Sequence, residues 1–192
     1  MWQIVLYVNP LSVSLFVVAS ALASILLARW IEAAPVERER LARILFLSSL
    51  AVTLLATLMP TQLPGSGTRH VSLSLGGAFF GPESVAMQSM ERRMATATSV
   101  ANAAMFVPLA IFWYHATARR AFSLARVLAG CFSLSLGIEI VQLAMNAGRV
   151  VDVDDVLFNT TGALVGLLLA WASSRWAGKR LRAGQRTRLL SG

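Results

Sequence analysis

The feature that most constrains this chain is the alternation of long apolar runs with short, strongly basic segments. The apolar runs lie at Leu11–Ile31, Ile44–Met59, Val100–Thr117, Val127–Asn146 and Val156–Trp176. A helix needs about 20 residues to cross roughly 30 Å of hydrocarbon. Charged residues form 14% of the chain, against about 25% in soluble domains. We therefore predict an all-α, polytopic transmembrane bundle of about five spans, which excludes a water-soluble enzyme.

The basic residues predict the direction in which the spans are inserted. Thirteen of the 17 Lys and Arg residues flank the first and third connections or follow the last span. Cytoplasmic loops normally carry this excess of positive charge. The pattern predicts an N-terminus outside and a C-terminus in the cytoplasm, with outer connections at Pro60–Ala97 and Ala147–Asp154. Contact with anionic lipids then accounts for the net charge of +8, so we expect no nucleic-acid partner.

The charge and hydropathy pattern divides the chain into three segments. Residues 1–43 hold the first transmembrane helix and a basic cytoplasmic loop, residues 44–176 form the main transmembrane domain, and residues 177–192 form a basic cytoplasmic tail. The outer loop 60–97 is rich in Gly and Pro, and Val71–Leu75 alternates like a short strand. A lid, a docking surface and a loosely ordered loop all remain open for it.

Polar side chains recur at helical spacing inside the last three spans. The fourth span carries Ser135, Glu139, Gln142 and Asn146 at spacings of 4, 3 and 4. The fifth carries Asp155, Asn159, Gly162 and Gly166 at equivalent spacings, with Asp152 before them and Asn102 on the third span. Residues at these spacings share one face of a helix. Because polar groups in a bilayer normally face the bundle interior, we predict that these stripes converge.

The convergence predicts one outward-opening polar pocket. Its predicted catalytic residues are Glu139, Arg149 and Asp155, and its predicted ligand-binding residues are Asn102, Gln142, Asp152 and Asn159. Purely structural roles stay open beside these. Gly162 and Gly166 could permit close helix packing, Asp152 or Asp154 could cap the fifth helix, and the amides could bond across helices.

Glu139 is the one carboxylate that the sequence places inside a span. Burial disfavours the charged form of a carboxyl group unless a cation lies beside it, and the nearest cation along the chain is Arg149. Two outcomes are open. An ion pair would tie the helix to the following loop, whereas a neutral Glu139 could transfer protons.

No recognised cofactor or metal motif occurs in the sequence. The chain lacks a P-loop, a dinucleotide-binding glycine fingerprint, a G-x-S-x-G elbow and an H-E-x-x-H helix. A carboxylate site for Mg²⁺ or Ca²⁺ would need Glu139 with Asp152, Asp154 and Asp155, at a spacing that matches no loop motif. We predict neither a cofactor nor a bound metal.

Several segments resemble the VanZ-like family of membrane proteins. The segments S-L-G-I-E-I-V-Q (Ser135–Gln142) and G-R-V-V-D-V-D-D-V-L-F-N-T-T-G-A-L-V-G (Gly148–Gly166) resemble its signature. Ala101–Ala110 resembles its Asn-x-x-x-Phe-x-Pro-Leu segment, and Thr57–Pro60 resembles its Thr-Leu-x-Pro. The resemblance runs from Ile44 to Trp176. This chain departs from the family in two places. It has Pro108-Leu109-Ala110 where Pro-Leu-Gly is usual, and its outer loop is long.

The resemblance implies a multi-pass protein of the bacterial inner membrane. The family is named for a member associated with low-level teicoplanin resistance and carries no settled activity, so resistance is not thereby assigned to this chain. Three readings follow. The chain could bind a lipid-linked or lipidated molecule, such as a wall precursor or a lipoglycopeptide-type antibiotic. It could be a membrane enzyme with Glu139 as general acid/base and Arg149 stabilising negative charge. A transporter accessory comes last, because the sequence shows no inverted repeat.

Overall fold

Five long helices and one pair of short strands make up the described chain. The computed structural model describes residues 10–30, 35–60, 62–67, 70–72, 89–117, 123–147 and 150–190. In chain order the elements are α1 (Pro10–Trp30), α2 (Pro35–Leu58), β1 (His70–Ser72), α3 (Ser89–Thr117), α4 (Ser123–Met145), β2 (Val150–Asp152) and α5 (Val153–Leu190). All five helices contain a segment long and apolar enough to cross a membrane. The predicted number of spans is therefore confirmed.

Three helices extend beyond the apolar runs that predicted them. α2 begins at Pro35, because proline at the first helical position loses no hydrogen bond, and a Glu39–Arg43 ion pair follows in its second turn. α3 begins at Ser89. α5 continues to Leu190, so most of the segment predicted as a tail is helical. Hydropathy marks where a helix enters the bilayer, and it does not mark where the helix begins or ends.

The bundle buries its polar side chains beside an apolar core and exposes large apolar side chains on its outer surface. Leu15, Leu47, Leu55 and Ile140 are among the exposed large apolar residues. The buried polar and charged residues are Ser20, Ser24, Arg38, Thr53, Thr57, Ser99, His115, Ser135, Glu139, Gln142, Asp154, Asn159 and Ser173. This distribution suits a hydrocarbon solvent, in which an exposed leucine costs nothing and an exposed polar group is expensive.

α3 and α5 form the most extensive helix pair of the fold. A Cβ atom added at Gly162 would overlap the carbonyl oxygen of Ala103, and one at Gly166 would overlap that of Val107. The two glycines therefore let the backbones of α5 and α3 touch over one turn of each helix. This contact draws the polar face of α5 against α3.

The second and fourth connections meet at one end of the bundle. β1 pairs in parallel with β2, with Val71 opposite Val151. The backbone N–H groups of Gln62, Gly65 and Gly67 donate to the last carbonyls of α4 and its cap, at Ala147, Met145 and Asn146. The loop thus donates hydrogen bonds to carbonyl groups that have no partner within the helix at its C-terminal end. The strand expected at Val71–Leu75 is described over His70–Ser72, and its remaining residues lie outside the described ranges.

Polar contacts attach α1 to the rest of the bundle. Ser24 Oγ lies 2.9 Å from His115 Nε2 on α3 and 2.8 Å from Ser173 Oγ on α5. The Arg29 guanidinium lies 5.7 Å from the ring centroid of Trp176. α1 is therefore fixed against α3 and α5 near its C-terminal end, whereas it makes few contacts with α2.

The α3–α5 contact predicts the effect of adding one methyl group to α5. We expect Gly162→Ala to lower the free energy of unfolding by about 1–3 kcal/mol, the usual range for overpacking a close contact. Thermal unfolding in detergent micelles measures the change. Gly178→Ala on the same helix is the control, because a Cβ atom there meets nothing within 4 Å. Equal melting temperatures for the two variants would contradict the proposed role of Gly162.

Candidate functional site

The polar faces of α4 and α5 are turned toward each other. Ser135 and Asn159 are both buried, and Asn159 Nδ2 donates to Ser135 Oγ at 2.8 Å. An interhelical hydrogen bond of this kind satisfies two polar groups that have no water to bind at membrane depth. It brings together the two stripes that sequence spacing placed on separate helices.

These faces enclose a polar cavity of about 180 Å³ together with two further helices. It is lined by Thr57 of α2, Thr98 and Asn102 of α3, Ile138, Glu139 and Gln142 of α4, and Asp155 and Asn159 of α5. We call this space the polar cavity. Five of the seven residues predicted for the site line it, namely Asn102, Glu139, Gln142, Asp155 and Asn159.

The two other predicted site residues lie elsewhere. Asp152 does not line the polar cavity, but its backbone N–H donates to Glu139 Oε2 at 3.2 Å. Its side-chain Oδ1 accepts the N–H of Asp154 at 3.0 Å. This is the geometry of a helix N-cap, so Asp152 has the capping role that the sequence left open between Asp152 and Asp154. Arg149 lies outside the described residues.

Glu139 lies in the last two turns of α4 and contacts the connection that follows this helix. Its side chain is 5% exposed. The N–H that contacts its carboxylate belongs to Asp152, the last residue of β2. Because β2 pairs with β1, the position of Glu139 depends on both connections at this end of the bundle.

Gln142 connects the polar cavity to α2. Its side chain is 7% exposed and its Nε2 donates to the carbonyl oxygen of Thr57 at 2.9 Å. Thr57 is near the end of α2, where the last carbonyls lack partners within the helix. The amide therefore closes one side of the cavity.

Thr57 and Thr98 line the cavity but were not predicted as site residues. Both bond back to their own helices, Thr57 Oγ1 to Thr53 O at 2.7 Å and Thr98 Oγ1 to Met94 O at 3.0 Å. Thr98 could have been found by its spacing, since it precedes Asn102 by one turn of α3. Thr57 had only its place in the T-L-M-P segment as a signal.

The amide groups that line the polar cavity differ in how fully their hydrogen-bonding atoms are used. Gln142 and Asn159 each use an amide N–H within the protein. Asn159 is 1% exposed, and its Oδ1 accepts no hydrogen bond from any residue that the structure describes. Buried amide oxygens normally accept a hydrogen bond, so this oxygen leaves a position for a donor. The cavity thus suits a group that donates hydrogen bonds.

A second buried polar cluster lies away from the polar cavity. It consists of His115, Ser24, Ser173 and Arg38, with the Arg38 guanidinium donating to His115 O at 3.3 Å. All four side chains are buried, and none lines the polar cavity. Over the described ranges, no group of three or more His, Cys, Asp or Glu residues is arranged to hold a metal ion.

Comparison with known proteins gives one family match. The model of the family VanZ/LLP1 matches residues 44–174, which is more than half of the chain. The match begins within α2 and includes every residue of the polar cavity. No curated protein and no solved structure matches the chain. The family match confirms the resemblance carried by the sequence motifs, and this multi-pass membrane chain belongs to the VanZ/LLP1 family.

Proposed function

We propose that this chain is a cell-envelope protein of the bacterial inner membrane that binds the polar head of a lipid-linked or lipidated molecule. The observation that carries the proposal is the polar cavity, in which the buried Asn159 Oδ1 has no partner among the described residues and lies among carboxylate and amide side chains. Polar groups at membrane depth are expensive and commonly mark binding or transport sites. A bound head group would give Asn159 Oδ1 a hydrogen-bond donor.

The volume of the polar cavity limits what can enter it. Sites for drug-sized ligands occupy about 300–1,000 Å³, whereas this cavity measures about 180 Å³. A fragment such as a few hydroxyl groups or an ammonium group fits that space. For a wall precursor or a lipoglycopeptide-type antibiotic, we propose that only this fragment is enclosed, and that the rest of the molecule lies outside the cavity.

The chemistry of the lining favours a donor-rich head group. Glu139 and Asp155 supply carboxylate oxygens, and Asn159 supplies an amide oxygen. Hydrogen bonds to charged acceptors are about twice as strong as neutral ones. Arg149 adds a proposed contact for a phosphate or carboxylate of the same molecule, because guanidinium groups match those anions.

We also propose that the polar cavity faces the extracytoplasmic side. The proposal is supported by the excess of Lys and Arg at the connections and terminus of the opposite side. In this proposed orientation the N-terminus lies outside and the C-terminus lies in the cytoplasm, as the sequence predicts. The ligand would then be reached from the outer leaflet.

Cysteine labelling tests the orientation. We expect Ser66→Cys to react with a membrane-impermeant maleimide on intact cells, since Ser66 is exposed in the second connection. Glu37→Cys, exposed near the start of α2, should react only after permeabilisation. The native Cys131 is buried and serves as the unlabelled background. The reverse labelling pattern would overturn the orientation.

An enzymatic role is the second candidate, favoured by the position of Glu139. A buried carboxylate on the wall of a small cavity can act as general acid or base, and such groups contribute about 10²–10⁴ in rate. In that reading Glu139 transfers a proton to or from a lipid-linked substrate, Arg149 stabilises negative charge, and Asp155 contacts the reacting group. The binding reading requires no proton transfer.

Glu139→Gln separates the two candidates. The carboxamide oxygen can still accept a hydrogen bond from the Asp152 N–H and from a head group, so a binding protein should lose only about 2- to 10-fold in affinity, whereas an enzyme should lose about 10²-fold or more in rate. The measurement compares extractable lipids and wall precursors in a deletion strain complemented with wild type or variant at equal abundance. A profile like that of the deletion strain would favour the enzyme.

Thr98→Val tests whether the polar cavity holds a ligand at all. The substitution removes Thr98 Oγ1 as an acceptor for the bound head group. Losing that one hydrogen bond, typically worth about 0.5–1.5 kcal/mol, is expected to weaken ligand binding by about 2- to 10-fold. The readout is the amount of each lipid that co-purifies per mole of protein. Thr161→Val is the matched control, because Thr161 is likewise exposed and bonds to the carbonyl four residues earlier, but lies outside the cavity. Equal effects of the two substitutions would count against a ligand in the cavity.

A further inference from the structure

The polar cavity lies near one end of the bundle and not at its centre. Each of its polar lining residues is six residues or fewer from the end of the apolar segment of its helix. Glu139, for example, lies six residues before Met145, and Asp155 lies two residues after Val153. Six residues of helix correspond to about 9 Å, whereas the hydrocarbon core is about 30 Å thick. The cavity is therefore within reach of a lipid head group in the adjoining leaflet.

The acceptor atoms of the lining define the chemistry of a complementary group. Glu139 and Asp155 contribute carboxyl groups, and Asn159 contributes an amide. The amide nitrogen of Asn159 donates to Ser135 Oγ at 2.8 Å. The amide oxygen of the same side chain, which is 1% exposed, has no hydrogen-bond partner among the described residues. A group that complements this side chain must therefore donate a hydrogen bond to Asn159 Oδ1.

The charge of the lining favours a cationic donor over a neutral one. The described residues that line the cavity include two acids and no Lys, Arg or His. A carboxylate has about four acceptor sites, so Glu139, which accepts the Asp152 N–H at 3.2 Å, can also accept a hydrogen bond from a ligand. Charge-assisted hydrogen bonds are about twice as strong as neutral ones. A cation with N–H groups is therefore bound more strongly here than a hydroxyl group.

A primary ammonium combines the positive charge with the required donors. Such a group carries three N–H donors and no acceptor. A hydroxyl group has a single donor and no charge, and a trimethylammonium group has the charge but no N–H to donate. Of the three, only the primary ammonium can donate to an amide oxygen and to carboxylates at the same time.

The size of the cavity and its acids favour a short carrier for that ammonium. The cavity measures about 180 Å³, which is less than the volume of a site for a drug-sized ligand. In an ethanolamine head, a two-carbon link separates the ammonium from the phosphate. The ammonium can therefore enter the cavity while the phosphate stays outside, away from the like charges of Glu139 and Asp155.

We propose that the polar cavity binds the primary ammonium of an ethanolamine-type phospholipid. Asn159 Oδ1 accepts one of its N–H groups. The other N–H groups are donated to side-chain oxygens of Glu139, Asp155 and Thr98, and the acyl chains stay in the surrounding leaflet. The proposal rests on the proposed function and names the class of its ligand.

Stepwise methylation of the lipid nitrogen tests this assignment with purified full-length protein in detergent micelles. Phosphatidylethanolamine, its monomethyl and dimethyl derivatives and phosphatidylcholine are used with identical acyl chains, so that mainly the number of N–H donors differs. We expect lipid retention after gel filtration, measured by mass spectrometry, to fall at each step and by about 10-fold or more over the series. Phosphatidylglycerol, which has hydroxyl groups and no ammonium, should be retained no better than phosphatidylcholine. Equal retention of phosphatidylethanolamine and phosphatidylcholine would overturn the assignment.

Soluble phosphoethanolamine separates a lipid from a free amine as the source of the ammonium. Because the cavity lies at the depth of lipid head groups, we expect the soluble compound to displace little bound phosphatidylethanolamine at equal molar concentration. Displacement as complete as that by phosphatidylethanolamine itself would overturn the lipid as the source.

Asp155→Asn tests whether the acids of the cavity contact the ammonium. The substitution keeps the shape of the side chain but supplies a weaker, neutral acceptor, so phosphatidylethanolamine retention should fall by about 2- to 10-fold. Glu37→Gln is the matched control, because Glu37 is likewise an acid in the first turn of its helix but does not line the cavity. Equal effects of the two substitutions would overturn the placement of the ammonium. If Asp155→Asn unfolds on heating earlier than the control, the methylation series, which needs no substitution, decides the assignment.

Thr98→Val distinguishes failure of this assignment from failure of the proposed function. If Thr98→Val lowers the amount of a co-purifying lipid but retention is equal across the methylation series, the cavity binds a head group and the ammonium assignment is wrong. If neither Thr98→Val nor Asp155→Asn differs from its control, the cavity holds no head group and both proposals are wrong. A fall in retention along the series together with an effect of Asp155→Asn supports both.

Discussion

The lack of water inside a bilayer is the constraint on which the rest of this structure depends. A polar group at that depth must find its partner within the protein. The chain meets the requirement by hydrogen bonds between helices, with Asn159 joined to Ser135 and Gln142 joined to the backbone at Thr57. Each bond orients a polar face inward, and the inward faces of four helices enclose the polar cavity. The cavity is thus a consequence of the same solvent that makes the outer surface apolar.

Close backbone packing determines the dimensions of that cavity. At Gly162 and Gly166 the backbone of α5 touches that of α3, with no room for a side chain. Asn159 lies one turn before Gly162 on α5, and Asn102 is adjacent to Ala103, whose carbonyl meets Gly162. Close approach of the two helices therefore keeps both amides near one another. The β1–β2 pair and the cap on α4 fix the same end of the bundle from outside the helices.

The family-matched segment and the helix that precedes it contribute different parts of the bundle. The segment matched to the VanZ/LLP1 family supplies all of the cavity lining. α1, which precedes that segment, lines apolar grooves beside α2 and is attached through Ser24 to His115 and Ser173.

The sequence alone determined the number of spans, the polar stripes of α4 and α5, and the family, because hydropathy and helical spacing are local properties of a chain. It also predicted that five of the residues lining the cavity lie together, since inward-facing polarity follows from the absence of water. Only the tertiary structure decided that Asp152 caps α5 while its backbone holds Glu139, and that Thr57 and Thr98 join the cavity. It alone also showed the apolar grooves between α1 and α2. These features depend on how separate helices meet, and no periodicity within one helix encodes which neighbour it will touch or how closely.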